Sequence, residues 1–491
     1  MTPETHEESL DPNDWSELRN LGHQMVDDMM NYFSSLRERP VWQPMPDEVR
    51  GSFKLPVPSE GEGFEKAYRD FKDNVLPYPN GNIHPRFWGW VQGTGTPFAM
   101  LADMLASGMN PHMAGFDQAP VEVEKVVIDW LKKLLGFPES ASGLLTSGAT
   151  MANLIGIAVA RNSVCGADFR KSGFNNEEAR GLVVYASAET HSWARKTLEL
   201  LGFGNERLRL IETNQAYQIS LEALSEAIVQ DRRAGLKPFV VIANVGTVNT
   251  GAIDDLQSLS KLTREEGLWL HADGAFGALA KLSPKYRHLV SGLELVDSIA
   301  FDLHKWMYLP FEAGCVVINR PDEQAKTFSS TAPYLSSAGR GVCSGPLVFA
   351  DLGIELTRSF KALKIWMSLK AHGANLFGRL IGQNIDQARY LAGRIEESAC
   401  LQLMAPVNLN VVCFRFRKPG LSAEELDQLN EEILLRLQVS GVAVPSGTRI
   451  SRAFVLRVAN VNQRSKSSDF DFLKGETERL GTQILSEWQG Q

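Results

Sequence analysis

Three features of the sequence predict an α/β protein built on a mainly parallel sheet. Short apolar runs at residues 182–186, 239–245, 268–273, 298–302 and 315–318 alternate with helical segments, the signature of βαβ units. Several of these runs stop abruptly in ionisable or small residues, as strands do at the carboxyl edge of an open α/β sheet. The length of 491 residues, with 44% hydrophobic content, suffices for two or three domains.

Residues 14–37 read as one amphipathic helix, because Leu18, Leu21, Met25, Met29 and Phe33 recur at three- and four-residue steps before Pro40. Pro40, Pro44, Pro46, Pro56 and Pro58 give the next forty residues the character of an extended arm. A one-striped helix and an arm have little core of their own, so residues 1–95 are expected to pack on a second copy of the chain. From residue 96 the texture changes. Val123, Val127, Trp130 and Leu134 mark a helix stopped by Gly136 and Pro138, and the strand–helix alternation then runs to about residue 360. Beyond it come two helical stretches to about 398, a strand at 411–417 alternating Phe414 and Phe416 with Arg415 and Arg417, a helix near 422–438 and a strand at 453–459. The expected domains are therefore 1–95, 96–360 and an α+β unit over 361–491.

A net charge of -8 argues against nucleic acid or an anionic membrane as the main partner. No apolar run approaches the roughly 18 residues that span a bilayer. The acidic, polar start MTPETHEESLDPND is unlike a secretory signal or transit peptide. Cys165, Cys315, Cys343, Cys400 and Cys413 are scattered without C-x-x-C spacing, so neither a disulfide framework nor a metal site is expected. The expectation is a soluble, cytoplasmic protein.

Chemistry gathers on residues 296–306, VDSIAFDLHKW, where loosely alternating Ile299 and Phe301 lead into Asp302, His304 and Lys305. A Lys at such a strand end is either a solvated surface residue or a partly desolvated amine that attacks a carbonyl. Three other stretches favour the amine. In LLTSGATMAN (144–153), Ser147, Gly148 and Ala149 are small enough for backbone N–H groups to approach an oxyanion. Thr150 adds a hydroxyl and the following helix adds its positive end; an ordinary capped helix start would look similar. Neither a Walker loop nor G-x-G-x-x-G is present there. In LWLHADGAF (268–276), Asp273 ends an apolar strand ahead of Gly274 and Ala275. A buried carboxylate there needs a partner such as a protonated ring nitrogen, unless it caps the next turn, and Ala275 leaves room for a flat ring. In ETHSW (189–193), His191 follows another strand, where an imidazole stacks on a ring or serves as acid and base. A phosphate cradle, an anion for a ring nitrogen, an imidazole and an amine on one sheet edge together suit pyridoxal 5'-phosphate.

On these residues the chain resembles the group II pyridoxal-phosphate-dependent amino-acid decarboxylases, nearest their aromatic-L-amino-acid decarboxylase branch, over almost its whole length. The resemblance implies the aspartate-aminotransferase-like fold (fold type I): a mainly parallel seven-stranded sheet in the large domain, a small α+β C-terminal domain and a helical N-terminal segment. It also implies a homodimer with its active site near the subunit interface. Lys305 becomes the Schiff-base lysine with His304 beside it, Asp273 the pyridinium partner and His191 the ring-stacking imidazole. Ala149 and Thr150 fall on the phosphate-binding pair, Thr247 in NVGTVNTG on the Thr below the cofactor, and Ala275 permits packing on the ring's other face. Tyr334, in TAPYLSSAGRG, falls on a loop that closes over the substrate, where Tyr delivers a proton to Cα; relatives with Phe there make aldehydes.

The implied reaction is decarboxylation of an L-amino acid, aromatic by resemblance, to its amine and carbon dioxide. The alternatives are an acidic substrate of the glutamate or sulfinoalanine type, an aldehyde synthase or aminotransferase on the same fold, or a binding protein without a covalent cofactor. The family often reads Asn-Pro-His-Lys where this chain has Asp302, Leu303, His304 and Lys305. Gln92 and Gly93 stand where the aromatic enzymes have Pro and Thr. Together with His112, in NPHMAGF, they leave the shape of the substrate pocket open.

Overall fold

The computed structural model describes residues 8–166, 168–330, 339–344 and 349–490. Helix α1 (Trp15–Ser34) starts at Asp14, whose carboxylate accepts the Ser16 N–H. It ends before residue 37, in a short 3-10 turn. The proline-rich stretch is not wholly extended. Its two proline-free segments fold as α2 (Asp47–Ser52) and α3 (Phe64–Asp70), because proline forbids a helix only where it falls inside one. Then come α4 (Pro97–Met109) and α5 (Ala119–Leu135), the latter stopped by left-handed Gly136. Helix α5 fully buries Val121, Val127, Ile128, Leu131 and Leu135, a face turned slightly from the predicted stripe.

The large sheet follows, with β1 (Ser142–Thr146), α6 (Ala149–Cys165), α7 (Phe169–Ser172), β2 (Leu182–Ser187), α8 (Trp193–Leu200), β3 (Leu208–Ile211), α9 (Leu221–Arg233) and β4 (Lys237–Asn244). It continues through α10 (Leu256–Glu266), β5 (Trp269–Asp273), β6 (Ser298–Asp302), α11 (Leu303–Trp306), β7 (Gly314–Ile318) and α12 (Pro321–Phe328). Its order is β1-β7-β6-β5-β4-β2-β3, and β7 alone runs antiparallel to its neighbours. All five residues of β6 are buried, so the alternation of Ile299 and Phe301 does not mark an exposed face; a parallel sheet covered on both sides buries both. The register Asn244↔Asp273↔Ala300 aligns the carboxyl ends of β4, β5 and β6. The candidate residues Thr247, Asp273 and Lys305 lie at or just beyond these three ends.

The chain then forms α13 (Ala362–His372), α14 (Ala374–Glu396), β8 (Leu401–Leu403), β9 (Val411–Phe416), α15 (Ala423–Val439), β10 (Ser446–Ile450), β11 (Ala453–Ala459) and α16 (Ser467–Gln489). The four strands make an antiparallel sheet, β10-β11-β9-β8, with its own apolar core around Phe414, Leu429, Ile433, Leu456 and Phe470. Part of the N-terminal segment belongs to that core rather than to another subunit. Trp88 is buried there and stacks on Phe470 at 4.9 Å. Its N–H donates to the Val444 carbonyl, and its carbonyl accepts the Ala459 N–H. Arg464 ties down the carbonyls of Thr94 and Gly95, so residues 84–95 form a strap between the small sheet and the large one. Among the described residues, no helix is long and apolar enough to cross a membrane.

Candidate active site

Lys305 sits on α11, the single turn that follows β6, with its side chain 22% exposed. Its Nζ lies 3.0 Å from Asp302 Oδ2. The other oxygen, Asp302 Oδ1, accepts the N–H of Ala149 at 2.6 Å. One buried carboxylate thus bridges the amine and the first residue of α6, where the positive end of the helix dipole lies. Thr150, next along α6, is exposed. His304 is buried with Nδ1 3.0 Å from the Ala313 carbonyl and its ring 4.7 Å from that of Phe311. Burial lowers its pKa, so its imidazole is neutral at pH 7.

Asp273 closes β5. Its Oδ1 accepts the Ala275 N–H at 3.1 Å, the local turn bond that strand-end Asp residues form, while Oδ2 accepts the indole N–H of Trp193 at 2.5 Å. Among the described residues, no Lys, Arg or His comes within ion-pair distance of this carboxylate, which is 6% exposed. A buried anion without a cation is costly, and a pyridinium is the kind of group that would relieve it. Half-buried Ala275 connects the two acids, because its carbonyl accepts the Asp302 N–H. His191 follows β2 and opens to solvent, with its Nδ1 accepting the Trp193 N–H at 3.2 Å. Protein around the ring lowers its pKa by desolvation, and the charges of Asp273, Lys305 and Asp302 all act on it. The acid, the amine and this imidazole therefore share one site.

Thr247, on the loop after β4, is buried. Its hydroxyl pairs with that of Thr250 at 3.0 Å and accepts the Ala252 N–H at 3.0 Å, so it braces its own loop. Gly93 explains itself sterically. A Cβ there would lie 1.6 Å from the His304 carbonyl oxygen and 2.9 Å from that of Lys305. The strap therefore runs closer to the Lys turn than a Thr at 93 would permit. Beside it, Gln92 Oε1 accepts the Asn80 amide at 2.6 Å. His112 is exposed and lines a cavity of about 650 Å³ with Phe311, Lys361 and Lys364, against the outer side of His304. Tyr334 lies outside the described residues. The sequence reading missed Arg457 on β11. Its guanidinium is buried, donating to the carbonyls of Asn249 and Trp90, and its Nη2 has no partner among the described residues. The signal was a lone cation inside the apolar run AFVLRVAN.

The conserved domain of pyridoxal-dependent decarboxylases matches residues 46–417. The chain belongs to this family. The decarboxylase is 33% identical to the aromatic-L-amino-acid decarboxylase of Bacillus atrophaeus over 457 residues, which cover 92% of this chain and 93% of that one. It is 29% identical to a phenylacetaldehyde synthase of Petunia hybrida over 465 residues, 92% of this chain and 90% of that one. A crystal structure of Oryza sativa TDC with PLP and tryptamine superposes with a TM-score of 0.89 at 25% identity, covering 97% of this chain and all of the other. The fold is fold type I, the cofactor is pyridoxal phosphate, and the enzyme is a pyridoxal-phosphate-dependent amino-acid decarboxylase. The donor set of the decarboxylase fits that cofactor: a buried acid with no cation beside it among the described residues, an amine after the next strand, and the positive end of α6.

Proposed function

We propose that the decarboxylase acts on an aromatic L-amino acid, releasing its amine and carbon dioxide. The observation that carries the site assignment is the pairing, on the adjacent ends of β5 and β6, of a cation-free buried carboxylate and an amine. Lys305 would hold pyridoxal phosphate through its amine, with His304 beside it on the same turn. Asp273 would accept the ring N–H, His191 and Ala275 would line the ring, and Thr247 would shape its surroundings through the loop it braces. Ala149 and Thr150, at the positive end of α6, would hold the phosphate, the Thr150 hydroxyl donating directly and the Ala149 N–H once it exchanges Asp302 Oδ1 for a phosphate oxygen. Bound there, the cofactor supplies a sink for the electron pair released when the substrate's Cα–carboxylate bond breaks. The chain does the rest. His191, whose Nδ1 already accepts the Trp193 N–H, keeps its other ring nitrogen available, and desolvation lowers its pKa. Tyr334 supplies the proton at Cα, and desolvation favours loss of neutral carbon dioxide.

The substrate class rests on likeness to aromatic decarboxylases, and Phe87, Trp88 and Trp90 lie on the strap beside the site. Of these, Trp88 belongs to the small core, which leaves Trp90, 53% exposed, as the ring able to meet a substrate. A homodimer is the accompanying assembly, supported by Trp15, Phe53, Leu55, Phe64, Met104 and Met109, all exposed on the N-terminal segment and α4. Five unpaired cysteines favour the reducing cytoplasm. The test is product analysis over a panel of aromatic and acidic L-amino acids, with borohydride reduction. Amine and carbon dioxide without hydrogen peroxide, from an aromatic substrate, and cofactor trapped on Lys305 are expected. Peroxide and aldehyde would place the enzyme with the synthases, and turnover of glutamate alone would overturn the aromatic assignment.

A further inference from the structure

Trp193 opens α8 and is 2% exposed, which would ordinarily make it one more core residue. Its two N–H groups say otherwise, because each goes to a different member of the site. The backbone N–H donates to His191 Nδ1 at 3.2 Å, and the indole N–H donates to Asp273 Oδ2 at 2.5 Å. The indole is held in turn. It meets His271 edge-on, with ring centres 5.9 Å apart and planes at 78°. Both nitrogens of that imidazole are engaged, Nδ1 with Ser298 Oγ and Nε2 with Asn153 Oδ1, each at 2.7 Å. Helix α6 lies against this ring so tightly that a Cβ on Gly156 would come 2.6 Å from it. The acid on β5 is therefore set by a rigid stack, His271 on Trp193 on Asp273, that runs from beneath the sheet to its reactive edge.

We propose that Trp193 is a positioning residue that keeps Asp273 ionised and aimed, so that the cofactor's ring nitrogen retains its proton. This rests on the reading of Asp273 as the pyridinium partner. The physical basis is an equilibrium between two forms of a hydrogen-bonded pair: pyridinium with carboxylate, or pyridine with carboxylic acid. A buried site favours the neutral form, since desolvation penalises both charges. Each N–H donated to the carboxylate favours the charged form. Among the described residues Asp273 has two such donors, one from Ala275 and one from Trp193, and of these the second comes from a side chain. Removing it also leaves a buried oxygen without its partner, so the proton moves from the ring nitrogen towards Asp273. The ring then accepts the electron pair less well. Through its backbone N–H the same residue fixes His191 with its proton on Nε2.

The experiment uses the full-length holoenzyme reconstituted with cofactor isotopically labelled at the pyridine nitrogen. Two variants are compared with wild type. One is Trp193→Phe. The other carries β-(3-benzothienyl)alanine at 193, which keeps the outline of the indole and replaces its N–H by sulfur, so that packing survives if the Phe variant misfolds. In the benzothienyl variant the nitrogen resonance should shift from the protonated towards the unprotonated position. Its kcat should fall about tenfold or more, with KM within about threefold of wild type and cofactor still trapped on Lys305. A wild-type nitrogen resonance and wild-type kcat in that variant overturn the proposal. An unprotonated ring nitrogen in the wild-type enzyme would instead overturn the reading of Asp273, so the two failures are distinguishable.

Discussion

Replacing Gly93 by alanine adds one carbon where the strap crosses the Lys305 turn. The ideal Cβ would lie 1.6 Å from the His304 carbonyl oxygen, whereas real Cβ contacts essentially never fall under 3.0 Å, so strap and turn must separate by at least about 1.4 Å. The strap cannot yield freely, because Asn82 holds the Gly93 carbonyl and Arg464 those of Thr94 and Gly95. The turn cannot either, with His304 fixed against Ala313 and Phe311. Overpacking of this kind costs about 1–3 kcal/mol of stability, and displacing a reacting group by about 1 Å costs on the order of a hundredfold in rate. Gly93→Ala is therefore expected to lower kcat/KM about a hundredfold, in a protein that still folds and binds cofactor. Steady-state kinetics on the best amino acid, beside the cofactor absorbance, measure this. The control is Gly475→Ala in α16, where a new Cβ meets nothing within 4 Å and helix propensity favours alanine. A Gly93→Ala enzyme within about twofold of wild type would refute the steric argument.

Asp302→Asn keeps an acceptor for the Ala149 N–H while removing a negative charge beside the phosphate cradle, so cofactor should bind roughly tenfold tighter by titration; weaker binding would show that the carboxylate's pairing with Lys305 matters more. Arg358 is buried and donates to Glu124, to the Leu145 carbonyl and to the Met113 carbonyl. Arg358→Met should cost about 3–5 kcal/mol in urea unfolding by stranding Glu124, and adding Glu124→Met should recover most of it. Stability should also fall with acid. Burial holds His84 at a pKa of about 4 and His271 at about 3, below the ordinary 6.5. The unfolded chain therefore takes up protons first as pH drops, and each imidazole costs about 2 kcal/mol by pH 5. Buried Asp254, raised to about 6, works in the opposite sense by about 1.4 kcal/mol. A net loss of about 2–3 kcal/mol between pH 7 and pH 5 is expected at fixed protein concentration, and a flat profile would contradict it.

The strands legible in the sequence are those whose apolar runs end in a charge or a turn. Ser298–Asp302 and Ala453–Ala459 coincide with β6 and β11. Those that escaped lie mostly at sheet edges, where strands are short and only partly buried, such as LRLI in β3, LQL in β8 and SGTRI in β10. The site was legible for a related reason, since an ionisable residue directly after a buried run makes no sense as packing. Asp273 and Asp302 end their strands in that way, with Lys305 and His191 a few residues beyond β6 and β2. Encounters over long separations were not legible. Trp193 meets Asp273 from 80 positions away and Arg457 meets Asn249 from 208, so their residue types show while their partners do not. Gly93 likewise looked like a departure in pocket shape until the backbone of His304 was found against it.

The strap also has a bearing on how the protein is made. Residues 84–95 leave the ribosome early, but their seats, Val444, Ala459, Asn462 and Arg464, are synthesised some 360 positions later. A nascent chain can complete the seven-stranded sheet, with Lys305 and Asp273 already on it, and still have nothing to hold Gly93 against the reactive turn. Completion of the candidate site is thereby deferred to the final stage of translation, when the last antiparallel strands form and clamp the waiting segment in place.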